Sequence, residues 1–133
     1  MSRINFLNIP IDAITMKQTL EKIDAAILSN KQIVHSVINA GKVVLMQTDK
    51  NLEKSVLNSD LINADGQSIV WAARFLGKKI PERVTGIDLM QELVKMAKQK
   101  GYKCYFLGAE KDVLKKMINT YLNEYSSDII AGY

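Results

Sequence analysis

The residues best suited to chemistry lie where apolar strand segments give way to helices. Asp65 follows the apolar segment Leu61–Ala64 and precedes Gly66, which is a turn signal. In an open α/β sheet, ligands bind outside the carboxyl ends of the strands, so Asp65 has the position of a catalytic or ligand-binding acid. An aspartate here can also cap the next helix or form the turn, and position alone favours that structural role.

Two further junctions have the same character. Asn39 ends the predicted strand Ile33–Asn39, where its amide can hydrogen-bond a ligand or cap the following helix. At the third junction, formed by Leu107, Gly108 and Ala109, a glycine allows close approach of the backbone and a helix N-terminus offers N–H groups to a phosphate. This junction matches neither GxGxxG nor a Walker loop, so the pattern is a weak indication of phosphate binding by itself.

Other candidate residues are more ambiguous. Arg83 precedes a predicted helix and can contact a phosphate, although a local ion pair with Glu82 or Asp88 is the simpler explanation. His35 and Cys104 lie in the middle of predicted strands, and we interpret both as structural. The sequence has no His/Cys/Asp cluster with metal-ligand spacing, no Asp-x-Asp and no identifiable Ser-His-Asp set.

Alternating strands and helices position these residues. The alternation of apolar strands with helices predicts a Rossmann-like α/β fold, a mostly parallel sheet with helices on both faces, as one domain over 1–133. Segment 3–11 is apolar and β-compatible, and the predicted strands are 33–39, 60–64, 102–107 and 128–131. The predicted helices begin after Thr15, at Lys42, after Asp49, at Ser68, at Ile87 and after Ala109, and the first has its apolar stripe on Met16, Leu20, Ile23 and Ile27.

Composition limits the class of protein. The chain has 133 residues, of which 47% are hydrophobic and 24% charged, as is typical of globular proteins. The net charge of +4 fits an anionic ligand or surface, but no basic run or aromatic-basic pattern indicates nucleic acid. Because no helix follows the strand signal at 129–131, we expect either an edge strand or a C-terminally truncated domain.

Several motifs together resemble one known family. Residues 63–66 are Asn-Ala-Asp-Gly, 77–89 contain Glu-Arg-Val-Thr-Gly-Ile-Asp-Leu, and 105–108 are Tyr-Phe-Leu-Gly, while 37–44 also fit. In this order and spacing they resemble the WecG/TagA/CpsF family of bacterial glycosyltransferases, glycosyltransferase family 26. The resemblance extends from about Ile33 to the end of the chain. The family has threonine where this chain has Val37, and its domain is longer than this chain.

The resemblance implies an inverting transferase of the type that builds the linkage unit of wall teichoic acid. Such an enzyme moves N-acetylmannosamine from UDP-N-acetylmannosamine to undecaprenyl-diphosphate-linked N-acetylglucosamine, without a metal or other cofactor. It implies an enzyme at the cytoplasmic face of the membrane. We also expect a homo-oligomer, because a truncated domain leaves apolar surface uncovered that drives self-association. The resemblance implies Asp65 as the general base, and Asn39 and Arg83 match further residues of the family. We expect substrate binding by Asn39, Gly66, Gln67, Arg83 and Gly86, and nucleotide binding by Leu107, Gly108 and Ala109.

Two alternatives stay open. The α/β pattern and the weak phosphate junction also fit a non-catalytic nucleotide-binding or assembly module. A dinucleotide-binding oxidoreductase is disfavoured, because the chain has neither GxGxxG nor an acid about 20 residues after such a loop.

Overall fold

The computed structural model, which describes residues 3–133, has the predicted α/β class and contains Rossmann-like parallel strand pairs. The strands are β1 (Arg3–Phe6), β2 (Ile9–Asp12), β3 (His35–Ile38), β4 (Leu61–Ala64), β5 (Cys104–Tyr105) and β6 (Ile130–Gly132). The helices are α1 (Met16–Leu28), α2 (Ala40–Leu45), α3 (Lys50–Leu57), α4 (Gln67–Phe75), α5 (Gly86–Lys100) and α6 (Lys111–Tyr125). The chain divides into two compact units, Met1–Leu89 and Met90–Tyr133, and the single domain expected over 1–133 stays a prediction.

The N-terminal segment, predicted only to be β-compatible over 3–11, forms a hairpin of two strands. β1 and β2 pair antiparallel, from Arg3 opposite Asp12 to Phe6 opposite Ile9. Leu7 and Asn8 have φ of 48° and 66°, the left-handed values that a two-residue hairpin turn requires. Leu-Asn is not a standard turn dipeptide, so no clear local signal predicts this turn.

A parallel strand pair forms the centre of the first unit. β3 and β4 pair in register from His35 opposite Leu61 to Ile38 opposite Ala64, and every residue of β4 is buried. β3 begins two residues later than predicted. The hairpin is attached to β4, because the Asp12 carboxylate accepts a hydrogen bond from the Ile62 N–H at 2.8 Å.

The core of the first unit lies between the strands and the helices. Its buried side chains are Phe6, Ile9, Ile11, Ile38, Met46, Val56, Ile62, Ala64, Ile69, Val70, Ala73 and Ile80. The capping box of α1 is present, with the Thr15 side chain accepting from the Gln18 N–H. The predicted apolar stripe of α1 is wrong at its end, because the buried residues of this helix are Thr19 and Ala26 while Ile27 is exposed.

The second unit has its own small core. β5 and β6 are parallel, and β5 is shorter than the predicted strand 102–107 because the chain leaves the strand before the exposed Leu107. β6 begins after a 3₁₀ turn at Ser127–Ile129, two residues later than predicted. The α6 stripe is confirmed, since Leu114, Met117, Ile118, Tyr121 and Tyr125 all belong to this core. Within residues 3–133, no helix is long and apolar enough to cross a bilayer.

Candidate active site

The candidate site lies where β3 and β4 end side by side. Ile38 and Ala64 are the last paired residues, and the Asp65 N–H donates to the Ile38 carbonyl at 2.8 Å. Because the strands are parallel, the residues that follow them, Asn39 and Asp65, leave the sheet at the same edge. This is the position expected for a ligand site from the sequence.

Asp65 does not serve as a helix cap, although its position favoured that role. The N-cap of α4 is Gly66, with no side-chain capping bond, and the helix begins at the exposed Gln67. Asp65 is half-buried, and within the described part of the chain its carboxylate has neither a hydrogen-bond donor nor an ion-pair partner. A carboxylate in this state is available to a ligand.

The Asn39 side chain caps a helix with its oxygen and has its amide nitrogen available as a hydrogen-bond donor. Its side-chain oxygen accepts from the Lys42 N–H at 2.9 Å, which confirms the capping alternative for α2. Its amide nitrogen has no partner among residues 3–133, and the side chain is exposed. A Cβ atom built on Gly66 would lie 3.7 Å from the Asn39 Cα, so the two junctions are in contact and Gly66 leaves the space between them open.

Gly86, the first residue of α5, lies against the acid. A Cβ atom built there would lie 4.0 Å from Oδ2 of Asp65 and 3.7 Å from Cγ2 of Val37. Glycine therefore leaves one side of the carboxylate uncovered. The methyl groups of Val37 also lie within contact distance of such a Cβ atom, so this position has an apolar neighbour as well as the acid.

Arg83 is exposed and forms no ion pair within the described residues. The ion pair expected with Glu82 or Asp88 does not occur, because the Glu82 carboxylate accepts from the Met16 N–H at 2.7 Å. The Val84 N–H donates to the Ala64 carbonyl at 2.8 Å. This bond brings the loop that carries Arg83 beside the chain segment that carries Asp65.

Helix N-termini add positive potential to this edge. α4 begins two residues after Asp65, and α5 begins at Gly86, beside the Asp65 carboxylate. N-terminal N–H groups and the helix dipole favour negative charge in their vicinity. The edge can therefore attract an anionic ligand.

The predicted nucleotide junction belongs to the second unit. Gly108 and Ala109 have φ of 109° and 63°, so the chain makes a left-handed turn before α6. The junction lines a largely apolar cavity of about 520 Å³. Glu110 and Asp112 lie at the start of α6, and their charges reduce the attraction of this helix end for a phosphate.

His35 is structural, as its position in the strand predicted. Its Nε2–H donates to the Asn63 side-chain oxygen at 2.9 Å, and the Asn63 amide donates to Thr19 Oγ1 at 3.2 Å. The Thr19 hydroxyl in turn donates to the Thr15 carbonyl at 2.9 Å. Burial lowers the pKa of His35, against the opposing effects of the Asn63 hydrogen bond and the Asp12 charge.

Sequence reasoning missed two residues that shape the loop. Glu82 was considered only as a partner of Arg83, and nothing local predicts its bond to Met16, which is distant in sequence. Thr85 accepts from the Asp88 N–H at 3.0 Å and so caps α5. Its three-residue spacing from Asp88 is the available signal.

No group of three or more His, Cys, Asp or Glu side chains among residues 3–133 is placed to hold a metal ion.

Fold and site together define an α/β protein in which, among residues 3–133, an acid and an arginine without side-chain partners lie beyond the ends of parallel strands. The chain belongs to the glycosyl transferase WecG/TagA/CpsF family, which it matches over residues 4–133.

Similar proteins include N-acetylglucosaminyldiphosphoundecaprenol N-acetyl-beta-D-mannosaminyltransferases. The one from Bacillus subtilis (strain 168) is 29% identical over 100 residues, which are 75% of this chain and 39% of that protein. The one from Bacillus spizizenii (strain ATCC 23059 / NRRL B-14472 / W23) is 35% identical over 81 residues, 60% of this chain and 32% of that protein. The one from Staphylococcus aureus (strain NCTC 8325 / PS 47) is 27% identical over 116 residues, 86% of this chain and 46% of that protein. The chain therefore spans less than half the length of these relatives.

Proposed function

We propose that this chain contributes the general base and part of the donor site of an inverting glycosyltransferase. The reaction moves N-acetylmannosamine from UDP-N-acetylmannosamine to undecaprenyl-diphosphate-linked N-acetylglucosamine, in wall teichoic acid linkage-unit synthesis. Family membership and the names of the relatives support the reaction class. The observation that carries the proposal is the unpartnered, half-buried Asp65 carboxylate at the end of β4.

Asp65 acts as the general base in this proposal. Its carboxylate accepts the proton of the acceptor hydroxyl while the hydroxyl oxygen bonds to the anomeric carbon of the donor sugar. The bond from that carbon to the UDP oxygen breaks on the opposite face, so the configuration inverts. Proton transfer to a positioned carboxylate contributes about 10²- to 10⁴-fold to such a step.

The leaving diphosphate needs stabilisation of its negative charge. Arg83 supplies a guanidinium without a competing ion pair among the described residues. The N–H groups at the start of α4 and α5 supply further donors, and Asn39 supplies an amide to the sugar. Gly66, Gln67 and Gly86 line the approach to Asp65. We propose that these groups perform the role of a metal, and that Leu107, Gly108 and Ala109 contact the nucleotide.

The chemistry of the proposed acceptor indicates the cellular location in which the enzyme acts. An undecaprenyl-diphosphate-linked sugar is held in a membrane, so we propose that the protein acts at the cytoplasmic membrane face. We also propose that it acts as a homo-oligomer. The alternative of a non-catalytic nucleotide-binding module gains no specific support, because such a module has no need of an unpartnered carboxylate beside an open glycine.

Replacing Asp65 with asparagine tests the proposed function. Asp65→Asn keeps the shape of the side chain but removes the proton acceptor, so turnover should fall about 10²-fold or more with little change in melting temperature. The matched control is Asp49→Asn, because the Asp49 carboxylate caps α3 by accepting from the Leu52 N–H at 2.9 Å. Asparagine caps about as well as aspartate, so the control should be active and stable. An Asp65→Asn protein with near-normal turnover would end the general-base proposal.

A further inference from the structure

Glu82 connects the loop before α5 to the N-terminus of α1. Its Oε1 accepts a hydrogen bond of 2.7 Å from the backbone N–H of Met16, the first residue of α1. The capping box of Thr15 and Gln18 satisfies the neighbouring N–H groups of this helix end. Glu82 therefore satisfies an N–H that the helix cannot satisfy itself, and its negative charge is favourable at a helix N-terminus.

Every second residue from 80 to 84 is anchored, either by burial or by a hydrogen bond. Ile80 and Val84 are almost fully buried, with 4% and 1% of their surface exposed, and Glu82 between them bonds to α1. The Val84 N–H also bonds to the Ala64 carbonyl, next to Asp65. Arg83 lies between two anchored residues and is itself exposed and without a partner among residues 3–133.

We infer that Glu82 is a positioning residue for Arg83. The inference rests on the proposed function, in which Arg83 meets the diphosphate of the donor. Glu82 does not touch the substrate in this account, because its carboxylate faces α1. It holds the backbone on the N-terminal side of Arg83, as the Val84 bond holds the C-terminal side. A guanidinium on a loop fixed at both sides keeps its place before the ligand arrives, which lowers the cost of ordering it on binding.

The experiment compares three substitutions by steady-state kinetics with UDP-N-acetylmannosamine and by titration with UDP alone. Glu82→Ala should raise KM for the donor and weaken UDP binding by about tenfold, with a smaller change in kcat. Glu82→Gln should be close to the unaltered protein, because the amide oxygen still accepts from the Met16 N–H. Glu82→Asp keeps the charge but is shorter, so it should weaken UDP binding by an intermediate amount.

Gln18→Ala is the matched control. It removes another side-chain acceptor from the same helix end, since Gln18 Oε1 accepts from the Thr15 N–H at 2.9 Å, but it leaves the loop untouched. It should lower stability without changing KM. If Gln18→Ala and Glu82→Ala raise KM equally, Glu82 only stabilises α1 and the inference is wrong. If Glu82→Ala does not fold, the Gln and Asp variants still decide, because equal UDP affinity for both would overturn the inference.

Combining substitutions separates this inference from the proposed function. In an Arg83→Ala background, Glu82→Ala should have no further effect on UDP affinity, because the group it positions is gone. If Arg83→Ala itself leaves UDP affinity unchanged, the proposed role of Arg83 fails, and the inference fails with it. If Arg83→Ala weakens binding but Glu82→Ala does not, only the inference fails.

Discussion

The two ends of the β3–β4 pair differ in whether their polar side chains have partners within the protein. Near the amino end, the Asp60 carboxylate accepts from the Val34 N–H at 2.9 Å, and the Ser36 and Ser59 hydroxyls are 2.7 Å apart. Beyond the carboxyl end, the charged groups of Asp65 and Arg83 have no partner among residues 3–133. At the amino end the polar side chains stabilise the fold, whereas at the carboxyl end they are available to a ligand.

This difference is not a defect of packing. Within the described residues, every buried side-chain nitrogen and oxygen atom has a hydrogen-bond partner. Asp65 is only half-buried, so water can solvate its carboxylate in the free protein at little cost. The comparison therefore predicts that changes at the amino end affect stability, while changes at the carboxyl end affect ligand binding and turnover.

The largest stability effect is expected at Asp12, whose carboxylate is buried. It accepts from the Ile62 N–H and pairs with Arg3 at 3.0 Å. Asp12→Ala leaves that buried N–H unsatisfied, so the free energy of unfolding should fall by about 2–3 kcal/mol. The Arg3 side chain is 41% exposed, so its ion pair adds little. Asp65→Ala should change stability by less than about 0.5 kcal/mol. Urea unfolding measures both, and equal losses would break the comparison.

A smaller effect, on activity alone, is expected at Gly86. Gly86→Ala places a methyl group about 4.0 Å from the Asp65 carboxylate oxygen, an ordinary contact that the fold tolerates. The methyl group occupies space through which an acceptor reaches the acid, so kcat/KM for the acceptor should fall about tenfold, or about 1.4 kcal/mol. Gly101→Ala is not a suitable control because of its positive φ of 75°.

Gly41→Ala is the better control for this prediction. Gly41 lies in α2, where a Cβ atom would meet only the Asn39 side-chain oxygen, at 3.5 Å, within the 4 Å limit of ordinary contact. Kinetics with a soluble acceptor analogue should show a loss for Gly86→Ala that clearly exceeds any loss for Gly41→Ala. Unchanged acceptor kinetics in the Gly86 variant would mean that the acceptor approaches Asp65 from another side.

Sequence alone predicted the carboxyl ends of β3 and β4 to within one residue, but not the hydrogen bonding of the side chains that follow them. β4 was predicted over 60–64, one residue longer than observed, because the apolar residues Leu61, Ile62 and Ala64 are followed by a turn signal. The sequence alone could not decide whether Asp65 caps α4 or binds a ligand, because aspartate at such a position can serve in either role. The decision came from Gly66, which takes the N-cap position itself. Bonds such as Glu82 to Met16 join distant segments, so no local pattern predicts them.

The smallest effect concerns pH and the partnered end of the strand pair. Burial lowers the pKa of His35, while the Asn63 hydrogen bond and Asp12 act to raise it and Lys42 acts to lower it. The folded protein therefore binds the His35 proton less readily than the unfolded chain, in which histidine titrates near about pH 6.5. As the pH falls through about 6.5, the unfolded chain takes up the proton first, so stability declines from that pH downward.

His35→Gln should remove this dependence. The glutamine amide can still donate to the Asn63 oxygen but does not titrate, so its melting temperature should fall less between about pH 7.5 and pH 5.5 than that of the unaltered protein. The difference should be small, because the Asn63 hydrogen bond and the Asp12 charge oppose the effect of burial on the pKa of His35. Carboxylates shared by both proteins cancel in this comparison. Equal slopes for the two proteins would mean that His35 titrates alike in both states. The amino end would then be held by hydrogen bonds that protonation of His35 leaves intact, and its contrast with the carboxyl end would rest on Asp12 and Asp60.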